Sequence, residues 1–277
     1  MTIAQALLSA QALGLERLDG QMLLLHACQQ PVHHRAWLAM HQEDALSQSQ
    51  SDVFLQSVQR RCSGEPVAYI IGYKEFYGLT LQVDARVLVP RPDTETLVDW
   101  ALQLLPNTQL NAIDLGTGSG AIALALKKQR PLWHITAVDA SPDALKVAQQ
   151  NGHALQLEVD WKIGHWLQNL TQPFDCVISN PPYIAEQDPH LPALQHEPTL
   201  ALTSGADGLN DIRTIIQQAP QHLQPGGWLL LEHGYDQAAA VQTLLQAAGF
   251  ERVQSRQDLA GIARCTGGCW KGKTTNN

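Results

Sequence analysis

The segment Asn111-Ala-Ile-Asp-Leu-Gly-Thr-Gly-Ser-Gly-Ala121 constrains the fold more than any other stretch of this chain. An apolar run ends in Asp114, meets glycine at Gly116, Gly118 and Gly120, and passes directly into the helical pattern Ala121–Lys128. Glycine tolerates positive φ and close backbone approach, so the segment reads as a strand, a tight turn and a helix. The same rhythm repeats downstream. Short apolar runs at Ala112–Leu115, His134–Val138, Leu155–Val159, Phe174–Ser179, Gly227–Glu232, Arg252–Ser255 and Ile262–Trp270 alternate with helical stretches. Strands separated by crossover helices predict an α/β fold with a parallel, doubly wound sheet.

Upstream the pattern is different. From Ile3 to about Cys62, Leu7, Leu8, Leu15, Leu23, Leu24, Trp37, Leu38, Val53, Leu55 and Val58 recur at helical spacing. Polar breaks at Leu18–Gly20, Gln30–His33 and Glu43–Ser49 divide them into about four helices. From Ser63 the chain becomes rich in β-branched and aromatic residues, Val67, Tyr69, Ile71, Tyr73, Phe76, Tyr77, Leu79, Leu81 and Val83, with Gly72 and Gly78 between. That composition predicts a β-hairpin rather than a helix. Pro90 and Pro92 then force an extended path, and Asp93 or Thr94 is placed to cap a helix running to about Leu105. The expected organisation is a helical bundle over residues 1–62, a hairpin and extended linker over 63–92, and an α/β domain over 93–277, with the tail to Asn277 disordered.

Composition narrows the function. Against 18 basic residues stand 26 acidic ones, a net charge of −8. No basic footprint for a phosphate backbone is present, which disfavours a stable nucleic-acid partner. The five cysteines are scattered without a CxxC pair, the usage of a reducing compartment. Cys265 and Cys269 have no second ligand pair nearby, so no metal site is expected. The N-terminus lacks a secretory pattern and no run approaches the ~20 apolar residues of a membrane span, so the expectation is a cytoplasmic protein with no membrane partner.

The glycine loop lies where open α/β sheets bind nucleotides, at the carboxyl end of a strand. Gly116, Gly118 and Ala121 satisfy even the loose dinucleotide fingerprint, which leaves a nicotinamide-dependent dehydrogenase open. With Asp114 directly ahead, however, the acid-x-Gly-x-Gly-x-Gly form resembles motif I of class I S-adenosylmethionine-dependent methyltransferases. The next strand ends in Asp139, whose carboxylate can accept hydrogen bonds from both hydroxyls of a ribose in either ligand. More selective is Phe174-Asp-Cys-Val-Ile-Ser-Asn-Pro-Pro-Tyr183. Pro181 and Pro182 fix φ and remove two backbone donors, so the turn shows acceptors to its surroundings. Such a face suits a planar N–H₂ group. The Asn180 side-chain oxygen and the Pro181 carbonyl would each take one N–H, while Tyr183 stacks on the π-face. A dehydrogenase would leave this turn idle.

The combination looks like the amino-methyltransferases that act on planar nitrogens of adenine, guanine or glutamine amide. Gly64-Glu-Pro66, Tyr69-Ile-Ile-Gly72, Glu75-Phe-Tyr-Gly78, Val89-Pro-Arg-Pro-Asp-Thr-Glu95, Asn180-Pro-Pro-Tyr-Ile184, Glu197-Pro198 and Gly208-Leu209 narrow it further. They are similar to the peptide chain release factor N5-glutamine methyltransferases over nearly the whole chain. The resemblance implies a Rossmann-like, seven-stranded class I methyltransferase fold. It also implies methyl transfer from S-adenosylmethionine to the glutamine of the Gly-Gly-Gln motif in class 1 release factors, supporting translation termination. Cofactor binding would then fall on Asp114, Gly116, Thr117, Gly118, Ser119, Gly120, Asp139, Trp166 and Asn180, substrate binding on Asn180, Pro181, Pro182 and Tyr183, and catalysis on Asn180, Pro181 and Tyr183. The helical N-terminal domain would recognise the substrate, or else serve as a stabilising cap on the catalytic domain.

Two departures accompany the resemblance. His165-Trp166 stands where the family has Asp-Trp, which removes an acid expected to receive the adenine amino group, and the strand Ala263–Trp270 is unusually rich in cysteine and glycine. His165, His190, His196 and His233 read as packing or surface residues. Nucleic-acid amino methylation, ribosomal-protein glutamine methylation and a binding-only adaptor remain as alternatives.

Overall fold

The computed structural model describes residues 1–272, so the expected disorder of the tail ending at Asn277 concerns residues outside that range in all but its first positions. In chain order the elements are α1 (Ile3–Ala12), α2 (Arg17–Ala27), α3 (Arg35–Met40), α4 (Gln48–Cys62), α5 (Val67–Ile71), β1 (Tyr73–Phe76), β2 (Leu79–Gln82), α6 (Glu95–Leu104), β3 (Asn111–Leu115), α7 (Ala121–Gln129), β4 (His134–Asp139), α8 (Pro142–Leu155), β5 (Asp160–Ile163), β6 (Phe174–Ser179), α9 (Asn210–Gln218), β7 (Leu223–Glu232), α10 (Ala238–Ala247), β8 (Phe250–Gln257) and β9 (Ala263–Trp270). They form two compact units. One comprises Met1–Tyr73 with Pro192–His196, the other Lys74–Leu191 with the chain from Glu197 onward.

The first unit is helical around Leu23, Leu24, Leu25, Leu38, Phe54 and Val58. Helices α1 and α4 start at capping boxes, Thr2 with Gln5 and Ser47 with Gln50, which satisfy backbone donors at the first turn. The break expected at Leu18–Gly20 is misplaced, because α2 runs through it. Gly20 lies buried inside α2, where a Cβ would make only an ordinary 3.6 Å contact with that of Ala10, so the residue is accommodated in the helix rather than ending it. Val67–Ile71 is the second correction. It is a helix, not a strand, held between Pro66 and Gly72, whose φ of +84° stops it. The apolar alternation misleads here because Ala68, Tyr69, Ile70 and Ile71 are all buried, whereas a strand would have sent successive residues to opposite faces.

The hairpin begins only at Tyr73, turning through Tyr77 and Gly78, both at positive φ. Such a two-residue turn matches strand twist. Phe76, Leu79 and Leu81 sit in one hydrophobic core of the second unit, so the hairpin is part of that core and not a separate linker.

That unit is built on a seven-stranded sheet in the order β5-β4-β3-β6-β7-β9-β8. Strands β3 to β7 pair in parallel and β9 runs antiparallel between β7 and β8. Both faces are covered, which explains the continuous apolar runs. Ala112, Cys176, Ile178, Trp228 and Leu230 face one core, and Ile113, Leu115, Val177, Leu229 and Leu231 face the other. The strand expected at Leu155–Val159 lies later, at Asp160–Ile163, because α8 continues to Leu155 and Gln156 reverses the chain at positive φ. Leu155 at the end of α8, and Leu157 and Val159 in the loop after it, pack against the first of these cores. Among the described residues no helix is long and apolar enough to cross a membrane.

Candidate active site

The parallel strands bring the motif residues to one edge of the sheet. β3 and β4 lie side by side, as do β3 and β6, so the turns after Leu115, Asp139 and Ser179 open together. A crevice there is lined by Gly116, Gly118, Asp139, Ala140, Gly164, His165, Trp166, Asn180, Pro182 and Asp211 among others.

The glycine loop is folded by its own backbone. The N–H groups of Gly116 and Thr117 both donate to Val138 O, and Gly116, Gly118 and Gly120 have φ of +69°, +54° and +84°. Trp166 lies against Gly116, its ring 3.2 Å from the place a Cβ would occupy, whereas a Cβ on Gly118 would meet nothing within 4 Å. Gly118 therefore keeps one wall of the crevice open. Asp139 joins loop and strand: Oδ2 accepts from Gly118 N at 2.8 Å and Oδ1 from Ser141 N at 2.9 Å. Burial raises its carboxyl above the usual range, and these backbone donors pull the other way.

Four of the expected cofactor residues do not reach the crevice surface. Asp114 is buried, its Oδ2 accepting from the Thr117 hydroxyl at 2.6 Å and from Ala123 N at 3.2 Å, while Oδ1 has no partner. Burial pushes this carboxyl up to about 7. Ser119 is buried, its carbonyl accepting from Asn151, and Gly120 packs under Leu124 and Trp161. These residues shape the loop from beneath. Trp166 does line the crevice, at a positive φ of +53°, with its indole N–H on Asp211 Oδ1 at 3.2 Å. Exposed His165 lines it too, as a polar surface residue at the crevice. Asp211, whose other oxygen accepts from Ser204 at 2.7 Å, is the carboxylate on this wall, and it comes from α9 rather than from position 165.

The Asn180–Tyr183 turn is held from several sides. Asn180 Nδ2 donates to Thr94 Oγ1 at 3.1 Å, and the Tyr183 hydroxyl donates to Glu232 Oε1 at 3.3 Å. Gln237 Nε2 donates to the Tyr183 carbonyl at 3.0 Å. Gly208 lies so close that a Cβ would stand 2.1 Å from that carbonyl, which explains the Gly208-Leu209 motif. Pro182 lines the crevice, whereas Tyr183 packs against the α9 and α10 side of the sheet. Burial, followed by the neighbouring Glu232, raises the Tyr183 phenol. Thr94, expected as a helix cap, makes no capping bond and serves this turn instead. Buried Glu197 accepts from Val89 N at 3.1 Å and pairs with Arg91, tying the proline-rich segment to the Glu197-Pro198 motif.

Sequence reasoning did not single out Thr94, Asp211, Glu232 or Gln237 as site residues. Glu232 did leave a signal, an ionisable residue closing the apolar run Trp228–Leu231. The other histidines stand apart: His190 pairs with Asp188, His196 bonds Ser63 O, and buried His233 lies between Thr266 and Gly234 O. Among the described residues no three His, Cys, Asp or Glu side chains group as a metal site.

A seven-stranded sheet of this order, with a glycine loop and the Asn180 turn on adjacent strand ends, defines a class I methyltransferase. The Methyltransferase small domain family matches residues 94–197 and the PrmC N-terminal domain family residues 1–72. A solved methyltransferase from Pyrococcus furiosus shares the fold with a TM-score of 0.56 at 19% identity, over 71% of this chain and 90% of that one. A release factor glutamine methyltransferase of Coxiella burnetii is 46% identical over 251 residues, 90% of each chain. Another, of Pseudomonas aeruginosa, is 47% identical over 258 residues, 92% of each. The chain belongs to the release factor glutamine methyltransferase family.

Proposed function

We propose that this enzyme methylates the N5 side-chain amide of the glutamine in the Gly-Gly-Gln motif of class 1 release factors, with S-adenosylmethionine as donor. Family membership supports the reaction, and one observation carries its chemistry: Asn180 turns its amide nitrogen inward to Thr94, leaving its oxygen free beside the crevice. The crevice fits the donor, since Gly118 leaves space and the Asp139 carboxylate stands beside it, suited to a ribose diol. Gly116, Gly118, Asp139, Ala140 and Trp166 would hold it. When bound, S-adenosylmethionine supplies a methyl group activated by sulfonium.

The chain's own task is to present a poor nucleophile. An amide nitrogen is delocalised, so two N–H bonds, to Asn180 Oδ1 and the Pro181 carbonyl, raise its electron density and fix its approach. Positioning supplies ~7–11 kcal/mol in well-oriented cases, more than the about 10²–10⁴-fold of a general base. The methylated nitrogen releases its proton readily to water or to Asn180, and no dedicated base is assigned. Mass spectrometry after incubation with S-adenosylmethionine and a Gly-Gly-Gln release factor tests the reading. One added methyl on the glutamine peptide supports it, and transfer to tRNA, DNA or ribosomal protein instead, or to nothing, overturns it.

We assign release factor recognition to the first unit. A groove between its helices is lined by Leu7, Leu8, Leu15, Leu18 and Leu38, with Leu8 and Leu18 exposed, a surface suited to a protein. Deleting residues 1–62 should raise KM for the release factor while methylation of a short Gly-Gly-Gln peptide persists. Unchanged affinity in a folded truncated protein removes this role.

A further inference from the structure

Trp166 stands in the left-handed region, at φ +53°, with its ring laid against Gly116. A large side chain keeps that backbone conformation only where its surroundings impose it. Here one helix face does so. Asp211 and Gln218 lie seven residues apart on α9, two turns along the same side. Asp211 Oδ1 accepts the Trp166 indole N–H at 3.2 Å, and Gln218 Oε1 accepts the Leu167 backbone N–H at 3.0 Å. The helix itself is fixed by Ile212, Ile215 and Ile216, which share one hydrophobic core with Trp166 and Leu167.

Asp211 also reaches toward the Asn180–Tyr183 turn. Its Oδ2 accepts from the Ser204 hydroxyl at 2.7 Å, and the oxygen of that hydroxyl accepts from Asp211 N at 2.8 Å. The Ser204 backbone N–H donates to Ile184 O at 3.0 Å, and Ile184 N donates to Leu202 O at 2.9 Å. Ile184 directly follows the turn. We propose that Asp211 is a positioning residue that fixes the Trp166 indole as a wall of the crevice and, through Ser204, ties that wall to the end of the Asn180–Tyr183 turn. Wall and turn are thereby referred to one carboxylate. Their alignment matters because a misplacement of about 1 Å can cost ~100-fold in rate. The inference rests on the reading that this crevice holds S-adenosylmethionine and that the turn receives the target amide.

The test uses the full chain, S-adenosylhomocysteine for binding, and S-adenosylmethionine with a Gly-Gly-Gln release factor for turnover, with the wild-type protein as the first control. Asp211→Ala should weaken S-adenosylhomocysteine binding roughly tenfold by calorimetry, the effect of losing a hydrogen bond to a charged group. In proton–nitrogen NMR spectra the Trp166 indole resonance, assigned by its absence from Trp166→Phe, should move in the same variant. Asp211→Asn keeps an acceptor for the indole and should stay within about threefold of wild type in binding. Ser204→Ala leaves the indole bond and the backbone pairing with Ile184 but cuts Asp211 from the turn. It should lower kcat at saturating S-adenosylmethionine by about fivefold or more, with S-adenosylhomocysteine bound within about twofold of wild type. In the Trp166→Phe background, which lacks the indole N–H, Asp211→Ala should weaken binding by less than about threefold further, because a residue that acts through another is not additive with it. Direct contact between Asp211 and the cofactor would instead give the full product of the two losses, and that result overturns the proposal. So does Asp211→Ala binding within about threefold of wild type with the indole resonance unmoved, Asp211→Asn as impaired as Asp211→Ala, or Ser204→Ala turning over within about twofold of wild type. Should Asp211→Ala not fold, Asp211→Ser, too short to reach the indole, takes its place under the same criteria. Failure of the wild-type protein to bind S-adenosylhomocysteine or to methylate the release factor would overturn the function reading and not this inference.

Discussion

At the scale of single residues, binding and chemistry divide between two side chains on neighbouring strand ends. Asp139 stands beside the glycine loop, and each of its oxygens already accepts one backbone N–H. Asn180, on the other side of that crevice, is anchored to Thr94. Their loss should therefore read differently. Asn180→Ala should abolish turnover while calorimetry finds S-adenosylhomocysteine binding largely intact; near-normal methylation by this variant would refute the mechanism. Asp139→Ala should weaken S-adenosylhomocysteine binding roughly 10- to 100-fold, the worth of hydrogen bonds to a charged group. Both residues were legible in the sequence, since each ends an apolar run at a strand terminus. Thr94 and Glu232 were not, because what marks them is a hydrogen bond to the distant Asn180–Tyr183 turn, and linear spacing carries no such information.

Among the elements, β9 shows how a local oddity acquires its reason from its neighbours. A Cβ on Gly267 would lie 2.5 Å from the Leu229 carbonyl oxygen and 2.9 Å from the Trp100 ring, and one on Gly268 would lie 2.9 Å from the Phe250 Cβ. The glycine-rich strand, unaccountable in the sequence, is thus the bed on which α6 lays Trp100. Cys265 and Cys269 are free thiols on the same strand, paired in register with Glu232 and Trp228. Gly267→Ala should destabilise the protein by about 1–3 kcal/mol, the cost of overpacking a filled core, measured by urea unfolding. An unchanged midpoint would show that the strand can yield. Helix α5 teaches the converse: its β-branched composition favours a strand, and burial of successive residues decides otherwise.

For the whole molecule, stability depends on protons held at the site. Burial pushes Glu232 up to about 7, against the opposing hydroxyls of Thr94 and Tyr183, and Asp114 likewise up to about 7. Each carboxyl keeps its proton in the folded chain at pH values where the unfolded chain has released it, so each contributes stability that falls as pH rises from about 4.5 to 7. Buried His233, lowered by desolvation, slopes the other way. Comparing Glu232→Gln with wild type isolates one group: the variant should gain stability relative to wild type as pH rises from 5 to about 7, and the difference should level off above. Urea unfolding across that range checks it, and a flat difference would mean that Glu232 titrates normally.

The chain by itself determined the α/β class, the parallel sheet, the glycine loop and the Asn180 turn, because these rest on backbone rules and apolar periodicity that operate within a few residues. It also determined the helical character of the first unit. Only the tertiary structure decided where that unit ends, which strand follows α8, that Asp211 and His165 share a wall of the crevice, and that Thr94 and Glu232 each hold a residue of the Asn180–Tyr183 turn. Those facts depend on which distant segments come to lie side by side, and on burial changing the protonation and partners of groups that look ordinary in sequence.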